Sequence, residues 1–93
     1  MRLLVYKTSF KKEVALMKKR GLDLKKLENI VSLLQKDTPL PPKHRDHPLS
    51  GNWGNFRECH IQPDWLLIYQ KQDSEDGRRV LLLEATGTHA DLF

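Results

Sequence analysis

From Thr38 to Asn55 the chain reads TPLPPKHRDHPLSGNWGN, with four prolines and two glycines, and this stretch decides how everything else can be arranged. Proline lacks the backbone N–H that a helix needs and clashes with the preceding turn, so no helix can cross a run this dense. The chain is thereby divided into a part before the loop and a part after it, and the two have different periodicities.

Before the loop the pattern is helical. Leu3 to Tyr6 form a short apolar, strand-like start. Phe10, Val14 and Met17 then recur at helical spacing, with Ser9 as the expected cap and Gly21 as the stop. Lys18, Lys19 and Arg20 fall in the last turn, where cations complement the helix dipole. Asp23 is placed to cap a second helix, whose stripe of Leu24, Leu27, Ile30, Val31 and Leu34 predicts a run to about Lys36. Two helices joined by so short a link read as a hairpin.

After the loop the pattern is that of strands, expected over residues 56 to 61, 65 to 70 and 79 to 83. The last two flank a polar DSEDG connection that ends in Gly77. LLIY and VLLL are continuous apolar runs, as expected of central strands covered on both faces. The expectation is an α+β fold in the order β-α-α-β-β-β. A small antiparallel β-sheet carries the N-terminal helical hairpin on one face, and residues 1–93 form a single domain.

Charge and cysteine content narrow the class of function. Residues 1–36 hold ten Lys/Arg against Glu13, Asp23 and Glu28, a balance of +7, whereas residues 37–93 hold six against nine, a balance of −3. A basic N-terminal third suits a phosphate backbone or an acidic protein, and equally a solvated helical face. One cysteine, Cys59, excludes an intramolecular disulfide framework and fits a reducing compartment. No apolar run is long enough to span a bilayer, and Leu3 to Tyr6 is far shorter than a signal-peptide core. The expected location is cytoplasmic.

The residues able to do chemistry cluster in three segments: DHPLSGNW, RECHIQPDW and TGTHADLF. They carry His47, His60 and His89; a fourth histidine, His44, lies just upstream. Neighbours in sequence suggest the couples Asp46–His47, His60–Asp64 and His89–Asp91, each able to fix an imidazole tautomer. Cleavage of RNA by its own 2′-hydroxyl needs little else. One group takes a proton, another gives one, and cations steady the charged phosphorane. Each of these residues also has an ordinary structural role open to it. Trp53 and Trp65 suit packing, and Cys59, which alternates with His60 on its strand, suits the core. Zinc is weakly served, because adjacent Cys59 and His60 cannot both reach one ion and no Cys-x-x-Cys pair exists.

Taken together, D-H-P-L-S-G-N-W, F-R-E-C-H-I-Q-P-D-W-L-L-I-Y and the closing T-G-T-H-A-D-L-F resemble the YafQ branch of the RelE superfamily of bacterial type II toxins. The resemblance implies a RelE-like microbial ribonuclease fold. It also implies ribosome-dependent cleavage of messenger RNA in the A site without a metal or other cofactor, and inhibition by a cognate antitoxin in a toxin–antitoxin heterotetramer. Carried over, His47, His60, Asp64 and His89 are the expected catalytic set. His47 and His89 act as the acid–base pair, and His60 and Asp64 orient the site and stabilise charge. Phe93 matches an aromatic residue that contacts RNA, and Arg57 a strand arginine. Lys11, Lys12, Lys18 and Lys19, with Arg20, Lys25 and Lys26, would dock on ribosomal RNA. Relatives often carry an arginine just before T-G-T-H, where this chain has Ala85; Arg57, Lys43 or Arg45 are the expected substitutes. Ala85 also supports the alternative of a catalytically weakened module that binds RNA or antitoxin. A metal-dependent hydrolase using the histidines as ligands is the other alternative.

Overall fold

A computed structural model describes residues 1–93. Strand β1 (Leu3–Tyr6) leads into helices α1 (Thr8–Lys19) and α2 (Leu24–Gln35). The Pro-rich stretch follows, containing two single 3-10 turns at Pro42–His44 and Gly51–Trp53 with a two-residue strand β2 (His47–Pro48) between them. Strands β3 (Arg57–Gln62), β4 (Trp65–Asp73) and β5 (Arg79–Gly87) and a one-turn helix α3 (His89–Leu92) complete the order. The hairpin strands extend further than periodicity predicts, because β4 and β5 remain paired along their polar ends as far as Asp73 and Arg79. No helix is long and apolar enough to cross a membrane.

The helix ends follow local chemistry, with one exception. Gly21 adopts φ +87° after α1. The Leu22 N–H bonds Met17 O and the Gly21 N–H bonds Lys18 O, the paired bonds of a Schellman stop that a residue with a Cβ would resist. Asp23 caps α2, its carboxylate accepting from Lys25 N at 3.0 Å. Ser9, in contrast, is not a cap. Helix α1 begins two residues earlier than a Ser9 cap implies, with Lys7 in the extended cap position and no side-chain bond to the first turn.

The five strands form one sheet in the order β1-β5-β4-β3-β2. Strands β3 to β5 pair antiparallel as expected. The two-residue β2, in the stretch expected to be loop throughout, adds antiparallel to β3, and β1 runs parallel to β5 at the edge, so the complete sheet is mixed. A parallel partner is available because the intervening chain crosses the face of the sheet as α1 and α2 before returning. Phe10 and Met17 of α1 and Leu27, Ile30, Val31 and Leu34 of α2 cover that face. They pack on Cys59, Ile61, Trp65, Leu67, Tyr69, Leu81 and Leu83 to make one core. Truncating a fully buried member such as Leu67 to Ala would cost about 2–5 kcal/mol. Trp65 satisfies its indole N–H on Thr86 Oγ1 at 2.9 Å, and Thr86 in turn donates to Leu66 O at 2.7 Å.

Side-chain alternation assigns the other face. His47 pairs with Glu58, Glu58 with Ile68, His60 with Leu66, and Ile68 with Ala85, so these residues project from the side away from the helices. Leu66 and Ile68 are fully buried and Ala85 nearly so, and they give this second face an apolar floor. The polar residues above that floor form the candidate site.

Candidate active site

The structure brings together His47, His60, Asp64 and His89. His47 comes from β2, His60 from near the end of β3, Asp64 from the turn before β4 and His89 from the first position of α3. The His60 ring centroid lies 6.4 Å from that of His47 and 5.7 Å from that of His89. His89 is placed by the short helix α3, which is closed by a capping box. Thr88 N–H donates to Asp91 Oδ2 at 2.8 Å, and Asp91 N–H donates to Thr88 Oγ1 at 3.2 Å.

The acid–histidine couples differ from those suggested by neighbours in sequence. His89 Nδ1 bonds Asp64 Oδ1 at 2.7 Å, not Asp91, and the His89 backbone N–H donates to the same oxygen at 3.1 Å. Asp91 serves the capping box and is clasped by Arg20, at 2.7 and 3.1 Å. Those bonds, the Arg20 pair first, hold the Asp91 carboxyl well below the usual range. Asp46 turns away from His47, accepting from Tyr69 Oη at 2.5 Å and from Arg57 Nε at 3.2 Å. His60 and His47 share a residue that sequence reading overlooked. This is Glu58, which is 5% exposed and lies with Oε1 3.4 Å from His60 Nε2 and 3.6 Å from His47 Nε2. Two-residue alternation along β3 was the signal available for it, since Glu58 must share a face with His60.

The ring orientations are set by fixed acceptors. His47 Nδ1 bonds Arg45 O at 2.5 Å, His60 Nδ1 bonds Pro63 O at 3.2 Å, and His89 Nδ1 bonds Asp64. Carbonyl and carboxylate oxygens only accept, so each Nδ1 carries its proton. The Nε2 of His89 is left without a protein partner, and those of His47 and His60 face Glu58 Oε1. Asp64 is held below the usual carboxylate range, first by the His89 side chain and then by its backbone N–H, so it stays ionised behind the ring. Arg45 adopts the left-handed region at φ +46°, where a residue with a Cβ pays about 1–2 kcal/mol, and this aims its carbonyl at His47.

The remaining expected residues divide by position. Lys43 and Arg45 line a cleft that also includes His60. Arg57 pairs across the sheet with the core residue Tyr69 and is held by Asp46, which sets it on the opposite side of β3 from Glu58 and His60. It does not stand in for an arginine at position 85. Phe93 is 60% exposed yet not free, since its ring meets the edge of Trp53 at 6.0 Å, and Trp53 meets Phe56 at 5.8 Å. Lys12, Lys18 and Lys19 are exposed on α1 without ion pairs, whereas Lys11 sits over the Tyr6 ring at 5.4 Å. His44 is structural, bonding His60 O at 2.7 Å and tying the loop to β3.

The zinc set conceivable from sequence is not assembled. Cys59 faces the core, where burial pushes its thiol up to about 12, and His44 is turned to a carbonyl. A different set is gathered: Glu58, His60 and His89 each bring one ligand atom within 4.8 Å of the others.

Comparison with known proteins agrees with this fold. Residues 2–93 match the family model described as the bacterial toxin of the type II toxin–antitoxin system, YafQ. The mRNA interferase toxin YafQ of Escherichia coli K12 is 44% identical over 89 residues, 95% of this chain and 91% of that protein. Among solved structures, the E. coli DinJ–YafQ toxin–antitoxin complex superposes with a TM-score of 0.86 at 42% identity, covering 99% of this chain and 97% of that one. A copper-bound mutant toxin from Helicobacter pylori superposes with a TM-score of 0.91 at 39% identity, covering both chains fully. An α+β sheet with helices on one face, three converging imidazoles and these matches lead to one assignment: the chain belongs to the YafQ family of bacterial type II toxins.

Proposed function

We propose that this toxin is an endoribonuclease that cuts messenger RNA in the ribosomal A site, by metal-independent general acid–base attack of the 2′-hydroxyl on the adjoining phosphate. The observation that supports it most is the common orientation of the imidazoles, each with Nδ1 spent on a fixed oxygen and Nε2 turned into the cluster. There the Nε2 atoms of His47 and His60 face the Glu58 carboxylate and that of His89 has no protein partner. One Nε2 takes the 2′-hydroxyl proton as the O2′–P bond forms. Another, already protonated, gives its proton to O5′ as the P–O5′ bond breaks. The products are a 2′,3′-cyclic phosphate and a 5′-hydroxyl. His47 and His89 take these two roles, and His60, next to both rings, steadies the phosphorane charge. Asp64, although exposed, stabilises the His89 imidazolium when it forms, since its carboxylate accepts from Nδ1 behind the ring. Glu58 holds His47 and His60 in register beneath the substrate.

The basic α1 face, with Lys11, Lys12, Lys18 and Lys19, docks on ribosomal RNA, and Phe93 with Trp53 offers an aromatic rim on which a base can stack. The partner that silences the toxin is a cognate antitoxin, as in the DinJ–YafQ complex, in a heterotetramer in the cytoplasm. The single domain of residues 1–93 carries all of these surfaces. Primer extension on a message recovered after brief induction tests the reading. Cuts in register with codons, absent when translation is blocked, are expected; cuts independent of translation would overturn ribosome dependence.

The set of Glu58, His60 and His89 also fits a cation, and the copper-bound H. pylori toxin shares this fold. A metal held there would supply Lewis-acid stabilisation of a phosphoryl oxygen. It would also occupy lone pairs that the acid–base route needs. Cleavage should therefore survive a chelator and fall when copper or zinc is added; loss of activity on chelation, restored by metal, would favour the metal-dependent hydrolase.

A further inference from the structure

We infer that the cleft between α2, the Pro41–Arg45 segment and the end of β3 is a binding groove for the phosphodiester backbone of the message, next to the cleaved bond. This deepens the reading of the imidazoles as the cleavage centre and rests on it. The cleft encloses about 620 Å³ at the edge of the sheet on the helix side. His60 is among its lining residues while its ring projects from the other face into the imidazole cluster, so a strand lying in the cleft reaches the reacting groups by passing over the β3 edge at His60. Ile30 and Ile61 form a buried apolar floor, and Asn29 and Gln62 add neutral donors and acceptors.

Three exposed cations line it: Lys26 from α2, and Lys43 and Arg45 from the loop. None has a carboxylate partner, whereas Arg2, Arg20, Arg57 and Arg79 are all neutralised within the fold. Lys26 Nζ is held at the rim by Gln62 Oε1 at 2.8 Å. Arg45 has its backbone fixed in the left-handed region by its N–H bond to Pro42 O, at 3.1 Å, and its carbonyl fixed by His47. One residue thus aligns a catalytic imidazole and contributes a cation to the cleft beside the cluster. Cations unpaired within the protein and gathered at the sheet edge next to His60 suit a polyanion that enters as a strand.

The test replaces charge while keeping length, in the variant Lys26→Gln/Lys43→Gln/Arg45→Gln, against a control of Lys36→Gln/Arg78→Gln outside the cleft. On translating ribosomes the cleft variant should lose at least about tenfold in kcat/KM, with a shallower salt dependence, and the control should lose less than about twofold. Messages with single methylphosphonate linkages, placed one at a time on either side of the cut, identify the ligand. At one position the neutral linkage should slow the wild type about tenfold and add nothing in the cleft variant. A variant that cuts normally would overturn the inference, and so would one whose loss adds in full to every linkage effect. The second outcome would put ribosomal RNA, not the message, in the cleft. If the wild type cuts no message at all, the cleavage reading fails separately. The groove is then judged by anisotropy with a labelled single-stranded RNA, where about tenfold weaker binding by the cleft variant alone is expected and equal binding would reject it. Matching thermal melts confirm that all variants are folded.

Discussion

The two ends of the sheet use the same residue types to opposite effect. At the end where β4 finishes and β5 begins, Arg2 is 6% exposed and bonds Asp37 at 2.7 Å and Asp73 at 2.8 Å. Lys71 adds a bond to Asp37 at 2.8 Å, and Arg79 pairs with Asp37 as well. Every charge in that network has a partner of opposite sign, and its product is a closed edge. At the other end Glu58, His47, His60 and His89 are also gathered, but a single carboxylate faces the Nε2 of both His47 and His60, and the Nε2 of the exposed His89 has no protein partner. Saturated charge holds the fold together; unsaturated valence is what remains for a substrate. The contrast separates structural ion clusters from sites more sharply than residue composition does.

The largest expected break in this comparison is at the open end. His89→Ala should lower cleavage in a translating extract by about 10³-fold, in the middle of the range for removing a general acid or base. Because the ring is about half exposed and its helix is closed by Thr88 and Asp91, the melting temperature and antitoxin binding should hardly move. Full activity of this variant would remove the ring from the mechanism. At the closed end the signs reverse. Arg2→Ala should cost about 2–3 kcal/mol by urea unfolding, because it removes charge-assisted bonds from a buried guanidinium. Cleavage per folded molecule should be unchanged. An activity loss there without a stability loss would show that the two ends are coupled.

A smaller effect probes the link between core and site. Tyr69 is 1% exposed and donates to Asp46, the residue before His47. Burial, with that bond, pushes its phenol well above the ordinary value, so the hydroxyl is a permanent donor. Tyr69→Phe should cost about 1 kcal/mol and lower kcat about fivefold by loosening the loop, leaving KM nearly unchanged. A change in KM alone would place Asp46 in substrate binding.

How much of this was legible follows from the range of the interactions. The helices were readable because capping and periodicity are local: Asp23, Gly21 and the Leu24–Leu34 stripe act within a few residues. The strands and the face occupied by Cys59 followed from alternation and apolar runs. Strand β1's parallel place at the edge was not readable, since its partner lies more than seventy residues away. The site residues were identifiable as types and through resemblance, but their couples were not. Neighbouring residues in a strand or one-turn helix point in different directions, so Asp46 and Asp91 were lost to Tyr69 and Arg20, and Asp64 reached across twenty-five positions to His89. Glu58 needed only the two-residue strand period, and went unnoticed because it had no adjacent histidine.

The smallest expected effect compares two carboxylates that are both held below their ordinary range, Asp37 by Arg2 and then Lys71, Asp64 by His89. A depressed folded-state value means that each contributes stability above the unfolded value of about 3.9 and loses it as pH falls toward the folded one. Urea midpoints followed from about pH 6 to about pH 2 should therefore decline for the wild type, and decline less steeply for Asp37→Asn. That variant should cut normally at neutral pH, because none of its partners faces an imidazole. Asp64→Asn should flatten the same acid branch, but it also changes what His89 Nδ1 bonds, so its cleavage should fall across the whole pH profile. If both variants lost only stability, the open end would be as closed as the other, and the Asp64–His89 couple would belong to the architecture and not to catalysis.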